Sequence, residues 1–264
     1  MPDPTGPATR SGETDVTTER HIDHDSPMHQ FVIGRLSDWQ IGGLDISFSK
    51  AAAFMIAAVI VVTLFLTLTT SRRAMVPGRW QSVAELWYEF IANMIKETIG
   101  TEGRKYFPFV FTIFSFIVIC NLVGMLPYSY TVTSHIAVTI TLALAVFILV
   151  TVIGLTRHGL HFLSFFVPKG VPAVMLLLVV PIEVLSYFMR PISHSVRLFA
   201  NMTAGHTMLK VFGGFVVQMG IFGVLPFALI VALTGLEIAI AVLQAYVFTI
   251  LTCLYLNDAI HLEH

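Results

Sequence analysis

After residue 50 the chain is a succession of long apolar runs with short polar interruptions, and the length and period of each run say what it forms. Residues 51–70, AAAFMIAAVIVVTLFLTLTT, contain no charge. Twenty such positions are enough for a helix to cross a hydrocarbon core of about 30 Å. Residues 107–127 (FPFVFTIFSFIVICNLVGMLP) and 135–155 (HIAVTITLALAVFILVTVIGL) can each do the same. The linker between them is uncharged, and its Tyr128 and Tyr130 suit a membrane interface, so the two are predicted to form a tight hairpin.

Residues 80–100, WQSVAELWYEFIANMIKETIG, have a different pattern. Val83, Leu86, Trp87, Phe90, Ile91, Met94 and Ile95 recur at helical spacing, while Glu85, Glu89, Lys96 and Glu97 fall mostly elsewhere on the wheel. An amphipathic helix is expected, lying in the membrane interface or packed on a soluble partner; periodicity does not separate the two. The last apolar stretches, 173–213 and 215–256, are each about twice the length of a perpendicular span. Gly213, Gly214 and Phe215 offer a turn between them, and Pro181, Pro191 and Pro226 allow kinks. Two long, strongly tilted helices are predicted. The fold class is therefore all-α: a polytopic membrane protein with an interfacial amphipathic helix and two long tilted C-terminal helices.

Composition agrees. The 264 residues are 56% hydrophobic and 12% charged, about half the charged share of a soluble domain. A net charge of −1 leaves no basic face for nucleic acid. Cys120 and Cys253 lie in apolar runs and read as small buried hydrophobes. Residues 1–30 lack the apolar stretch of a signal peptide, and the segment 1–45 is expected to be a polar, disordered tail ahead of a transmembrane domain, 46–264. His21 and His24 in that tail lack a closed ligand set for a metal. Residues 1–50 carry eight acids against four lysines and arginines, whereas Arg72, Arg73 and Arg79 follow the first span. Arg157 and Lys169 sit in a later loop without an acid. The positive-inside rule then places the N-terminus outside and the loops after the first and third spans in the cytoplasm.

The C-terminal apolar region holds scattered polar groups. Glu183, Arg190 and Arg197 are spaced by seven, so on a helix they stay within about 40° of one another. Asn201 joins that face, with Ser186 and Ser193 nearby. His206, nine residues beyond Arg197, points roughly the opposite way. Glu237 and Gln244, again seven apart, share a face of the last helix. Plain structural roles exist for each. Arg197 can pair internally with Glu183 or Glu237. Glu183 and Arg190 can snorkel. Gln244 can bond a neighbouring helix, and His206 can be a satisfied core residue. Asn121 reads as helix-packing glue. Against these stands the cost of a permanent cation in lipid, since arginine does not deprotonate; intramembrane ionisable groups are functional candidates by default.

The segments SVRLFANMTAGH (195–206), PIEVLSYFMRPISHSVRLFANMTAGH (181–206) and LEIAIAVLQAYVFTILTCLYLNDAIH (236–261) resemble the a-subunit family of F-type ATP synthases, and NLVGMLPYSYTVTSH (121–135) resembles its hairpin. The likeness spans roughly residues 45–262. It implies a non-catalytic, proton-translocating stator subunit in a bacterial inner membrane, with its C-terminus in the cytoplasm. The implied partners are a ring of c subunits, each with one essential carboxylate, b-type peripheral stalk subunits and membrane lipid. Carried over residue by residue, Arg197 is the charge facing the ring. Asn201, His206, Glu237 and Gln244 fall on the outer proton path, and Glu183, Ser186, Arg190 and Ser193 on the cytoplasmic one. The His206 and Glu237 types match mitochondrial-type members; some bacterial members exchange them. No cofactor, metal or phosphate-binding loop is implied. Two rival readings use the same residues. An intramembrane metallopeptidase built on His194, His206 and Glu237 lacks an H-E-x-x-H spacing, and an anion channel lacks rings of basic residues.

Overall fold

The computed structural model describes residues 35–37, 40–41, 44–45, 48–71, 78–126, 131–167 and 172–261. The expectations for His21 and His24, Arg72 and Arg73, Tyr128 and Tyr130, and Lys169 lie outside these residues. Four short strands come first: β1 (Arg35–Ser37), β2 (Gln40–Ile41), β3 (Leu44–Asp45) and β4 (Phe48–Ser49). β1 pairs antiparallel with β4, and β2 with β3. The sequence pattern did not call for them. Among the described residues everything else that is regular is helical, and the architecture is an all-α polytopic membrane protein.

Helix α1 (Lys50–Thr70) is apolar on all sides and buries only Ala51 and Ala58 fully. Its threonines are tolerated because each hydroxyl bonds a carbonyl one turn back: Thr63 to Val59 O at 2.8 Å, Thr67 to Thr63 O at 2.8 Å and Thr70 to Leu66 O at 2.6 Å. Helix α2 (Arg79–Thr98) is the amphipathic element. It docks through its C-terminal half, where Ile91, Met94 and Ile95 are buried. Trp87 donates from Nε1 to Ser115 Oγ at 3.1 Å and meets Phe114 edge-on. Val83, Leu86 and Phe90 of the same stripe stay exposed, so this chain covers only part of the apolar face.

Helix α3 (Phe107–Gly124) enters through a 3-10 turn at Thr101–Tyr106, with Pro108 in its first turn, where no donor is needed. It is the best-buried span and packs against α1 and the last helix. Helix α4 (Ile136–His158) returns and is followed by a 3-10 stretch, Gly159–Phe166, whose Phe162, Phe165 and Phe166 rings gather around Tyr187. Cys120 and Cys253 are buried free thiols.

Helices α5 (Ala173–Met219) and α6 (Val224–Ile260) have 47 and 37 residues, or about 70 Å and 55 Å of helix against a core of about 30 Å. They run antiparallel in steady register, with His206 beside Glu237 and His194 beside Phe248. α5 continues through Pro181 and Pro191. The turn between the two is at Gly220–Gly223, not at 213–215. Gly220 has φ +56°, a left-handed conformation that a glycine adopts freely. Gly213 and Gly214 instead stay helical, each costing only about 1 kcal/mol of propensity. Pro226 falls in the first turn of α6, where it makes no kink.

Candidate functional site

Helix α5 separates its polar side chains by face. Ser195, Leu198 and Met202 are buried toward the bundle, while Ser186, Ser193, Arg197 and Asn201 are exposed on the other side. They sit among Ile182, Leu185, Phe188, Met189, Ile192 and Val196, which are also exposed. Among the described residues Arg197 has no hydrogen bond and no carboxylate partner. The internal pairs with Glu183 or Glu237 do not form. Glu183 is half-buried and makes no ion pair among the described residues.

Arg190 behaves differently from Arg197, although the two share the heptad. Its Nη1 lies 3.1 Å from Asp258 Oδ2, and its guanidinium stands 4.7 Å from the Tyr255 ring centre, 5.3 Å from Tyr187 and 5.5 Å from Phe165. Asp258 was not among the candidate residues; it sits in the closing LNDAIH of α6, where an acid reads as an ordinary helix end. At the same end of the bundle Arg157 pairs with Glu102. His158 Nε2 lies 3.1 Å from the carbonyl of Ile260. The end of α4, the entry to α3 and the end of α6 are therefore gathered on one side.

The opposite end holds the second polar cluster. His206 Nδ1 is 3.6 Å from Glu237 Oε1, and His206 Nε2 is 2.9 Å from Thr131 Oγ1. Neither carboxylate oxygen of Glu237 has a hydrogen-bond partner among the described residues, so His206 is its one close polar neighbour. Gly205 makes room for it: a Cβ there would lie 2.5 Å from Glu237 Oε1. Thr203 Oγ1 donates to the Ser134 carbonyl at 3.4 Å, tying the 131–135 segment over this end of α5. Thr131 is a second residue that sequence reasoning missed, since a neutral threonine in a polar linker carries no signal of its own.

Gln244 is buried on the Glu237 face of α6, as their spacing suggests. One turn after Glu237, the Ala241 carbonyl accepts 3.0 Å from Asn121 Nδ2, so the fully buried Asn121 ties α3 to α6. His194 is buried against Phe248 and Tyr255. It lies twelve residues from His206 along α5, about 18 Å of helix, so the three groups of the metallopeptidase reading are not brought together. Among the described residues no cluster of three or more His, Cys, Asp or Glu forms a metal site.

Fold and site together define a multi-pass membrane protein with ionisable groups set at opposite ends of two long intramembrane helices and a lone arginine on an open apolar face between them. The model of the ATP synthase A chain family matches residues 52–257. The chain belongs to that family. Bacterial proteins named ATP synthase subunit a are similar to it over nearly their whole length. The one from Mesorhizobium japonicum is 57% identical over 245 residues, covering 90% of this chain and 97% of the relative. Those from Paramagnetospirillum magneticum and Rhodospirillum rubrum are 54% and 53% identical, each covering 90% of this chain and 99% of the relative. As a member of the family, the chain is a proton-translocating stator subunit of an F-type ATP synthase.

Proposed function

We propose that this chain conducts protons through two separate half-paths to and from carboxylates on a rotating ring of c subunits, and catalyses no bond chemistry itself. The observation that carries the reading is Arg197: a permanent cation on an exposed apolar face, without a counter-ion among the described residues. Its partner then belongs to the surface that covers this face, and an arriving deprotonated ring carboxylate has the required charge.

The two clusters supply the paths. The basic end, with Arg157 beside Glu102, Arg190 beside Asp258 and the α6 terminus, faces the cytoplasm by the positive-inside rule. The end covered by residues 131–135, with His206 and Glu237, then faces outside. A proton entering there reaches the imidazole–carboxylate pair and passes along the Gln244 and Asn201 side to a ring carboxylate. Once neutral, that carboxylate can rotate into lipid. A proton leaving takes the side of Ser193, Arg190, Ser186 and Glu183. Arg197 stands between the two and, as a fixed cation, repels a proton that would cross directly. Each charge moved through 100 mV releases about 2.3 kcal/mol, which drives rotation. The stalk contact would fall to b-type subunits, for which the uncovered Val83, Leu86 and Phe90 of α2 offer an apolar strip.

The test uses the whole complex in vesicles. Arg197→Ala is expected to assemble and to lose coupled ATP synthesis. Synthesis at the unaltered rate would remove Arg197 from the mechanism.

A further inference from the structure

Where α2 ends and α3 begins, the chain leaves a cleft of about 580 Å³, within the range of about 300–1,000 Å³ typical of small-molecule sites. Lys96 and Arg104 line it, with Asn93 and Thr101 as neutral hydrogen-bonding groups, and no carboxylate does. Both cations are exposed, and among the described residues neither has an ion pair. Glu102, close in sequence, is engaged by Arg157. Glu85 and Glu89 line a separate pocket on the α1 side of Tyr88. Glu85 and Glu89 thus face the other pocket, while Lys96 near the end of α2 and Arg104 in the turn that follows line the cleft; Glu97, next to Lys96, is exposed outside the lining.

The wall of the cleft is apolar. Tyr88 and Phe107 face each other with ring centres 4.5 Å apart, and Phe107 opens the α3 span. Cations and neutral hydrogen-bonding groups therefore share one cleft with an apolar wall, at the start of a span. Basic pockets of this kind between membrane helices suit phosphodiester head groups. A free anion would use the cations and leave the rings uncovered, whereas a lipid uses both.

We propose that this cleft binds an anionic glycerophospholipid, its phosphodiester between Lys96 and Arg104 and an acyl chain along Tyr88 and Phe107. The test places the assembled complex in phosphatidylcholine vesicles containing a small fraction of phosphatidylglycerol with a photoactivatable head group. Crosslinks are then mapped by peptide. The expected result is labelling within residues 88–108 that falls at least about fivefold in Lys96→Gln/Arg104→Gln. That is about 1 kcal/mol at RT ln 5. Labelling should fall similarly in Ala92→Trp, which fills the cleft without changing charge, and persist in Lys105→Gln, an exposed cation outside the lining. Only variants that still assemble and pump are scored. Equal labelling by a photoactivatable phosphatidylcholine overturns the proposal, as does protection by millimolar inorganic phosphate, unchanged labelling in both cleft variants, or no labelling of the unmodified complex.

Discussion

Gly205 and Glu237 occupy one space: a Cβ on residue 205 would come within 2.5 Å of Glu237 Oε1, 2.9 Å of its Cδ and 3.1 Å of its Cγ. The carboxylate is seated where it is because α5 has no side chain at that point. Gly205→Ala is expected to push Glu237 away from His206 and slow ATP-driven proton pumping by about 10- to 100-fold, the scale of a misplacement near 1 Å. Shortening the acid in Gly205→Ala/Glu237→Asp should recover part of the rate. A Gly205→Ala complex that pumps normally would show that this seat is not needed.

His206 and Glu237 lie close enough to titrate as a pair. Pumping by the unaltered complex is therefore expected to depend on pH in two steps, and His206→Gln or Glu237→Gln should each reduce these to one. The exchanged double variant, His206→Glu/Glu237→His, should retain more flux than either Gln variant. Measured as pumping rate against pH, additive losses in the double variant would argue for two independent groups.

The Arg190–Asp258 pair is partly exposed, so Asp258→Asn is expected to cost only about 0–1 kcal/mol of stability. Arg190→Ala should cost more, because it also removes the stacking over Tyr255 and its neighbours. The buried thiols of Cys120 and Cys253 provide the measurement: their labelling on heating reports opening of the α3–α6 core. Equal shifts in the two variants would assign the whole effect to charge.

The same thiol assay places the turn. Gly220→Ala forces an alanine into a positive-φ conformation that residues with a side chain rarely adopt and should destabilise by about 1–3 kcal/mol. At Gly213 a Cβ meets open space, so Gly213→Ala should be neutral or gain up to about 1 kcal/mol. The opposite order would return the turn to 213–215.

Much of the fold was legible because lipid leaves few solutions. A charge-free run of twenty residues must be a span, and α1, α3 and α4 start and end within a few residues of the expected limits. The α5–α6 turn was misplaced because adjacent glycines resemble a break, yet an apolar helix absorbs them; the positive φ at Gly220 is invisible to periodicity. The short strands before α1 escaped the reading because runs of two or three residues carry no period of their own. In the site, helical spacing separated His206 from Arg197 and put Gln244 on the Glu237 side. Spacing within one helix cannot reveal what the next helix presents. Asp258, Thr131 and the Gly205 seat emerge only from the antiparallel register of α5 and α6 and the return of the 131–135 segment.

The open face of α5 also bears on friction. A partner turning past Ile182, Leu185, Phe188, Ile192 and Val196 exchanges dispersion contacts of about 0.1–0.2 kcal/mol each, which have no preferred direction. Sliding by part of a residue replaces one set with an equivalent one, so the corrugation it feels is shallow. A face studded with hydrogen bonds would present steps of about 0.5–1.5 kcal/mol apiece. On the proposed ring-facing track Ser186, Ser193 and Asn201 would add small ripples, and Arg197 would be the one deep notch.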